Sequence, residues 1–378
     1  MYFQDDFTKT LGTEGELLEY LDRVENGAAW QKMESGKIRV FPITEKNCSG
    51  LEQEGMEEIL EDTQRHTGLL VSLEGRMFPL GSTAVRTLEN RAKVSGRALS
   101  LLTPEKLARV LNECMEVTGA TALVRIAEGK VRAAHSWQYK ILPMPQVFRR
   151  AMDAVHRDYE KVRFGGGYAD HTRVTAIWEI GDEELVGTYR KVIEDYEGSC
   201  PSLMAEIRVT TSDTADSGAN IFYNLLIGPT RKKIAMGMAV KLEHEGDGTV
   251  EKFSQNMDTA FSRYKESARQ LDVLMHVRLR FPLSVMDGML KKIRIPSELK
   301  EETMKLFLNT NGAEECSAYE VYCGICECLY LAHNKGMNGY AMAALEEEVS
   351  RCLTMRYSGM DFPGELERKE KMGQLCAA

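Results

Sequence analysis

Twice in this chain two strand-like runs are separated by nothing but Glu-Gly. Residues 69–73 and 76–80 flank Glu74-Gly75, and residues 122–127 and 130–134 flank Glu128-Gly129. A two-residue loop ending in Gly supplies the positive φ that tight hairpins need. Strands that arrive as hairpins pair antiparallel with their sequence neighbours, unlike the regular βαβ alternation of a doubly wound fold. Further strand patterns cover 172–180, 205–211, 221–227 and 234–242. The first of these alternates cleanly, so one of its faces is expected to be wet. Helical patterns flank the hairpins at 83–93, at 145–161 and from Thr103-Pro104, which reads as an N-cap followed by Pro at the first helical position.

After Gly248 almost everything reads as helix. Residues 250–280 carry Phe253, Met257, Phe261, Tyr264, Ala268, Leu271 and Met275 at three- and four-residue spacing, a core-facing stripe. More helices start near Leu283, Pro296, Cys316 and Tyr340. The expected fold is therefore α+β: a hairpin-built, mostly antiparallel sheet in the middle of the chain, with flanking helices and a helical C-terminal section.

The expected division is an acidic N-terminal lobe or arm (1–66), a sheet domain (67–248), a helical section packed on it (249–360) and a polar, frayed tail (361–378). The first segment holds 15 Asp/Glu against 7 Lys/Arg. Gly165-Gly166-Gly167 reads as a flexible surface loop, because neither a phosphate loop nor a dinucleotide glycine pattern accompanies it.

The net charge of −9 argues against a surface that coats nucleic acid or anionic membrane as a whole, and leaves room for one local basic face. No run approaches the roughly 18 apolar residues of a membrane span. Acids stand near the N-terminus where a signal peptide needs a basic region, so a cytoplasmic location is expected. Nine cysteines, an odd count on a long chain, read as free thiols in a reducing compartment.

The region most suggestive of function is 125–163, with 9 Lys/Arg against 4 Asp/Glu and Trp137, Tyr139, Phe148, Tyr159 and Phe164 interleaved. Cations to neutralise phosphates and flat rings to stack bases are what single-stranded DNA or RNA requires. If Val124, Ile126 and Val131 face the core, Arg125, Lys130 and Arg132 fall on the opposite face by period-two alternation. Arg149, Arg150 and Arg157 follow on the next helix. The candidate interface is thus Arg125, Lys130, Arg132, Trp137, Tyr139, Arg149, Arg150 and Arg157. The plainer alternative is a solvated face with core aromatics. Arg231-Lys232-Lys233 could extend the face or decorate a hairpin tip.

A second candidate is the polar trio Ser212, Asp213 and His244, whose residue types suggest nucleophilic catalysis. Adjacent strand residues point to opposite faces, and no Gly-x-Ser-x-Gly elbow is present, so Thr-Ser-Asp also reads as a turn. Cys316, Cys323, Cys326 and Cys328 with His333 invite a zinc reading, but they lie in a helical pattern rather than on knuckles, and small buried filler is the alternative. No metal and no cofactor is expected.

Three stretches resemble a phage- and plasmid-borne family of unknown function (domain of unknown function 932). They are Gly129-Lys130-Val131-Arg132-Ala133-Ala134-His135-Ser136-Trp137-Gln138-Tyr139, then Thr210-Thr211-Ser212-Asp213-Thr214 with Val240-Lys241-Leu242-Glu243-His244, and Ala318-Tyr319-Glu320-Val321-Tyr322. The resemblance in the order of motifs runs from about Thr67 to Met355. Near the second stretch the family often has a Ser-His-Asp-Gly-Ser-like string, and Thr211-Ser212-Asp213-Thr214-Ala215-Asp216-Ser217-Gly218 stands here instead. The resemblance implies mobile-element origin and residence inside a bacterial host, and no defined activity. The leading expectation is an accessory protein that binds single-stranded nucleic acid without chemistry. The alternatives are a module that inhibits a host defence factor, with a host or phage protein as partner and the acidic 1–66 segment as its working surface, and an enzyme using Ser212, Asp213 or His244.

Overall fold

The computed structural model describes residues 4–48, 51, 55–214, 216–337 and 339–368. The chain opens with strand β1 (Thr8–Leu11) and helix α1 (Glu14–Asn26), then runs β2 (Ala28–Glu34), β3 (Ile38–Pro42), α2 (Glu45–Cys48), α3 (Met56–His66), β4 (Leu69–Leu73), β5 (Arg76–Pro79), α4 (Ser82–Ala92), α5 (Pro104–Thr118), β6 (Thr121–Ala127) and β7 (Lys130–Ser136). It continues through α6 (Met144–Asp158), β8 (Val162–Asp170), β9 (Val174–Ile180), α7 (Glu183–Glu197), β10 (Leu203–Thr211), β11 (Ala219–Ile227), β12 (Lys232–Ala235) and β13 (Val240–Leu242). The remainder is helical apart from two short strands: α8 (Val250–His276), β14 (Arg278–Leu279), α9 (Pro282–Lys292), α10 (Ser297–Asn311), β15 (Cys316–Ser317), α11 (Ala318–Asn334) and α12 (Gly339–Arg351).

The architecture is α+β, as the hairpin pattern predicts. Both Glu-Gly loops are two-residue turns with positive φ at each position: Glu74 at 51° and Gly75 at 88°, Glu128 at 47° and Gly129 at 77°. That is the mirror-image turn whose twist matches paired strands.

The large sheet has the order β1-β8-β9-β10-β11, with β12 and β13 both laid along β11, and every pairing is antiparallel. Register sorts its faces. Ala176, Val209 and Ile221 align across β9–β10–β11, as do Trp178, Ile207 and Tyr223, all buried in the main core. The reverse face aligns Glu179, Glu206 and Asn224, then Ile177, Arg208 and Phe222, then Thr175, Thr210 and Asn220. The apolar face packs on α6, α7 and α8, whose predicted stripe (Phe253, Met257, Phe261, Tyr264, Ala268, Leu271, Met275) is buried. The apolar residues of α9–α12 join the same core, so the C-terminal helices and the sheet are one packed body.

Residues 28–136 form a smaller unit inserted between α1 and α6. It holds two three-stranded antiparallel sheets, β2-β6-β7 and β3-β4-β5, and a separate core with α4 and α5. The expected boundary at residue 66 is corrected by this arrangement. β1 is the edge strand of the large sheet, and Leu11, Leu17 and Leu21 are buried in its core, while β2, β3 and α3 belong to the inserted unit. Acidic composition did not make a lobe, because the apolar stripe of α1 had a sheet to cover.

Gly165-Gly166-Gly167 is corrected too. It lies within β8 at a bulge, not in a surface loop. A Cβ on Gly167 would stand 3.2 Å from Leu11 Cβ and 3.3 Å from the Thr175 carbonyl, so it would press on both flanking strands. The strand expected over 234–242 is split in two at Gly237, where φ is 130° and the Tyr223 hydroxyl would lie 2.6 Å from a Cβ. The expected tail is docked at its start: Asp361 accepts from the amides of Arg280 and Phe281, and Glu367 from the Ser284 amide at 2.5 Å. Residues 369–378 of that tail lie outside the described residues. No described helix is long and apolar enough to cross a membrane.

Candidate functional site

Alternation puts Arg125, Lys130 and Arg132 on the face of their hairpin opposite the small core. That face is not wet. Their exposures are 1%, 0% and 4%, because the large sheet and α3 close over it. The Lys130 ammonium lies 3.2 Å from Asp5 Oδ1 and 2.6 Å from Asp62 Oδ2. Arg132 lies 3.6 Å from Asp5 and donates to the His171 carbonyl on the β8–β9 loop. Arg125 donates to Asp213 at 2.5 Å and Glu25 at 3.0 Å, and its guanidinium stands 4.9 Å from the Trp30 ring centroid. The expectation that these three present a nucleic-acid face is therefore overturned. A buried charge must be paired, and each has become part of the seam between the inserted unit and the large sheet.

Burial pushes the Asp5 carboxyl up, but the charges of Lys130 and Arg132 and the Ser82 amide outweigh it and leave its pKa below the ordinary carboxylate range. Asp5, Asp62 and His66 form the one metal-ligand-like cluster among the described residues, and the Lys130 ammonium already supplies its cation.

Loop 212–218 is the other side of the seam. Ser212 Oγ donates to the Thr172 carbonyl at 2.6 Å and accepts from the Thr214 amide at 3.1 Å, which makes it a turn former. Asp216 takes Arg173 and Arg86. His244 Nδ1 lies 2.9 Å from the Lys140 carbonyl, and the Lys140 amide donates to the His244 carbonyl at 2.7 Å. Ser212, Asp213 and His244 thus share one neighbourhood, yet each side chain has a different partner and none of their described hydrogen bonds joins them as a relay. The triad geometry is absent from them.

What the loop does meet is a stack of rings. His135 and Tyr139 lie face to face, with centroids 3.8 Å apart and planes 8° from parallel, and His244 covers the other face of Tyr139 at 4.6 Å and 7°. Trp30 leans on both His135 and Tyr139, at 5.7 and 5.6 Å. His135 Nε2 donates to the Asp213 carbonyl at 2.8 Å. Burial depresses the His135 imidazole to about 4, against the pull of the Asp213 backbone and charge, and burial likewise lowers His244. Burial and the nearby Asp213 carry the Tyr139 phenol well above its ordinary value. The stack is therefore neutral near pH 7.

Tyr139 and Lys140 pin the middle of a surface loop, 137–143, and the residues on either side of them are exposed. Trp137 is 57% and Ile141 39% accessible, and the Lys32 ammonium stands 5.6 Å from the Trp137 ring centroid. Arg149, Arg150 and Arg157 are exposed on α6 and ion-paired: with Asp22 at 2.6 Å, Asp153 at 3.9 Å, and Asp158 and Asp258 at 2.7 and 2.9 Å. Surface pairs of this kind contribute little, so these side chains can exchange partners.

On the inner side, Tyr139 and His244 close one end of a cavity of about 540 Å³ floored by Asn220, Phe222 and Lys241 of the reverse sheet face. A second cavity of about 400 Å³, lined by Tyr168, Thr175, Ile177, Arg208 and Thr210, shares Arg173 and Ala343 with the first. Charges beneath α12 are paired: Arg208 and Lys233 with Glu346, Lys233 with Glu206 at 2.7 Å, Lys241 with Glu347 at 2.6 Å. The basic run 231–233 is used in the same way, on Glu179, Glu327 and Glu206. Cys326 and Cys328 are buried filler on α11, with burial raising Cys328 to about 11.

Sequence reasoning missed Trp30, His135, Arg173 and Asp216. Trp30 and His135 come together only through the β2–β6–β7 register, and Arg173 and Asp216 only through loop closure, so no local spacing announces them. No protein-family model, curated protein or solved structure matches the chain.

Proposed function

We propose that this protein binds single-stranded nucleic acid at the 137–143 loop, as a non-enzymatic accessory protein. Trp137 is the stacking platform, and Lys32 and Lys140 are the flanking cations. The observation that carries this reading is the exposed Trp137 on a loop whose middle is pinned against the ring stack. Tyr139 is clamped between two imidazoles, and Lys140 is joined to His244 in both directions. An aromatic presented on an ordered loop loses little entropy on stacking a base, which is worth about 1–3 kcal/mol per base. The exposed arginines of α6 are available for phosphates, whereas Arg125, Lys130 and Arg132 are not. The reading takes with it the phage or plasmid origin, and the bacterial cytoplasm, that the three resembling stretches imply.

Fluorescence anisotropy with labelled single-stranded and duplex oligonucleotides, at low and physiological salt, tests it. Salt-sensitive binding is expected to prefer single strands, and Trp137→Ala is expected to weaken it by at least about tenfold. Absence of binding at low salt, or an unchanged Trp137→Ala variant, refutes the proposal. Inhibition of a partner through a mobile acidic arm loses its motivating feature, because residues 8–26 are built into the large sheet and its core.

A further inference from the structure

Two sides of α10 carry apolar residues, and the core takes only one of them. Leu299 and Phe307 are buried, with Thr303 between them. Met304 and Leu308 stand one position further round and are only half-buried. With Leu283 and Leu290 of α9 they line a surface groove of about 470 Å³. Leu366 of the docked tail lines it as well and is 37% exposed. Apolar side chains left open to water in one groove mark a place where something else is covered.

The groove has a charged end and an apolar end. Only residues 293–296 link α9 to α10, so the two helices form an antiparallel hairpin. Leu290 and Lys291 therefore meet Ser297, Lys300 and Glu301 beside the link, and Leu283 meets Leu308 at the far end. Leu366 belongs to the far end too, because its neighbour Glu367 accepts from the Ser284 amide. On the rim, Asp287 and Lys291 are paired at 2.5 Å. Glu298 and Glu302 of α10 are turned away to Lys335, at 2.8 and 2.7 Å. What remains is Lys300 and Lys305, neither in an ion pair among the described residues, against Glu301 alone. An acidic chain thus presents an apolar floor beneath two uncompensated ammoniums.

We infer that the α9–α10 groove binds a free fatty acid, with its carboxylate at Lys300 and Lys305 and its alkyl chain along Leu290, Met304, Leu308 and Leu366. The volume lies in the range of small-ligand sites. From Ser297 to Leu308 the helix rises about 16 Å, the reach of an extended chain of roughly a dozen carbons at bond lengths near 1.5 Å. The lysines fix which end of the ligand lies beside the link, and burial of methylenes supplies the affinity. The site shares no residue with the 137–143 loop and does not rest on nucleic-acid binding there.

Isothermal titration of the full chain with octanoate, decanoate and dodecanoate, each below its micelle concentration, tests this. One molecule should bind per chain, and each two added methylenes should tighten binding about five- to fifteenfold. Dodecyltrimethylammonium, with the same tail and the opposite charge, should bind at least about tenfold more weakly than dodecanoate. Lys300→Gln with Lys305→Gln removes only rim charges, so it keeps the fold and should erase that preference. Leu366→Asp, at an exposed position, should weaken dodecanoate about tenfold and octanoate less. Trp137→Ala should change none of this. The inference is overturned if no carboxylate saturates, if chain length or head-group charge makes no difference, or if both groove variants bind like the parent. It is overturned equally if dodecanoate binds only to a chain ending at Arg368, which would assign the groove to residues 369–378. A parent dimer that Leu366→Asp dissolves would assign it to a second copy, and tighter binding of a helical Leu/Glu peptide to a partner helix; either result overturns the inference.

Discussion

The neutral ring stack makes stability depend on pH in a window that few other groups share. His135 titrates at about 4 in the folded chain and near 6.5 when unfolded. The unfolded chain therefore binds the proton first, and stability falls as pH drops from about 6.5 towards 4. At about 1.4 kcal/mol per pH unit, the full effect is roughly 3 kcal/mol, and about 2 kcal/mol of it is lost by pH 5. The groups facing the ring are Asp213, which favours protonation, and His244 and Arg91, which oppose it. Burial outweighs them all. His135→Phe preserves the parallel contact with Tyr139 and removes the titration. Urea unfolding of parent and variant at pH 7 and pH 5 should show the parent losing about 2 kcal/mol more than the variant. His171 and His244, whose imidazoles burial also lowers, act in the same window and the same sense in parent and variant alike, while the buried carboxyls act elsewhere or in the opposite sense. Asp5 and Glu206, held below the ordinary carboxylate range, lose their contribution only at lower pH, and Glu346, raised by burial, gains as pH falls. These cancel in the difference between the two proteins. Equal pH dependence in both would refute the claim that the ring is buried and neutral.

Other expectations are structural. Lys130→Met leaves Asp5 and Asp62 facing each other in a dry seam, and should lower stability by roughly 3–5 kcal/mol in chemical denaturation. Glu74→Asn places a residue that tolerates the left-handed region at φ 51°, and should stabilise the first hairpin by about 0.5–1 kcal/mol, read as a raised urea midpoint. Gly167→Ala forces a Cβ against Leu11 and the Thr175 carbonyl, and should cost about 1–3 kcal/mol in the same assay while leaving oligonucleotide binding by the folded fraction intact.

Local pattern alone determined a good deal about this chain. Two Glu-Gly turns specify two hairpins, because few other two-residue loops match strand twist. The seven-residue apolar stripe specifies α8, because only a helix brings those positions to one side. Period-two alternation even assigned Arg125, Lys130 and Arg132 to the correct face of their hairpin. What it could not supply is what lies over that face. Loop 212–218 is some 75 residues or more away in sequence from the hairpin it meets, and Asp5 reaches Lys130 across 125 positions. The covering groups are brought there by the large sheet, whose edge strand comes from the segment that composition marked as a separate acidic arm. Periodicity reports which side chains share a side. Only tertiary packing decides whether that side meets water or a carboxylate, and here it turned three expected phosphate ligands into a buried seam and left Trp137 outside.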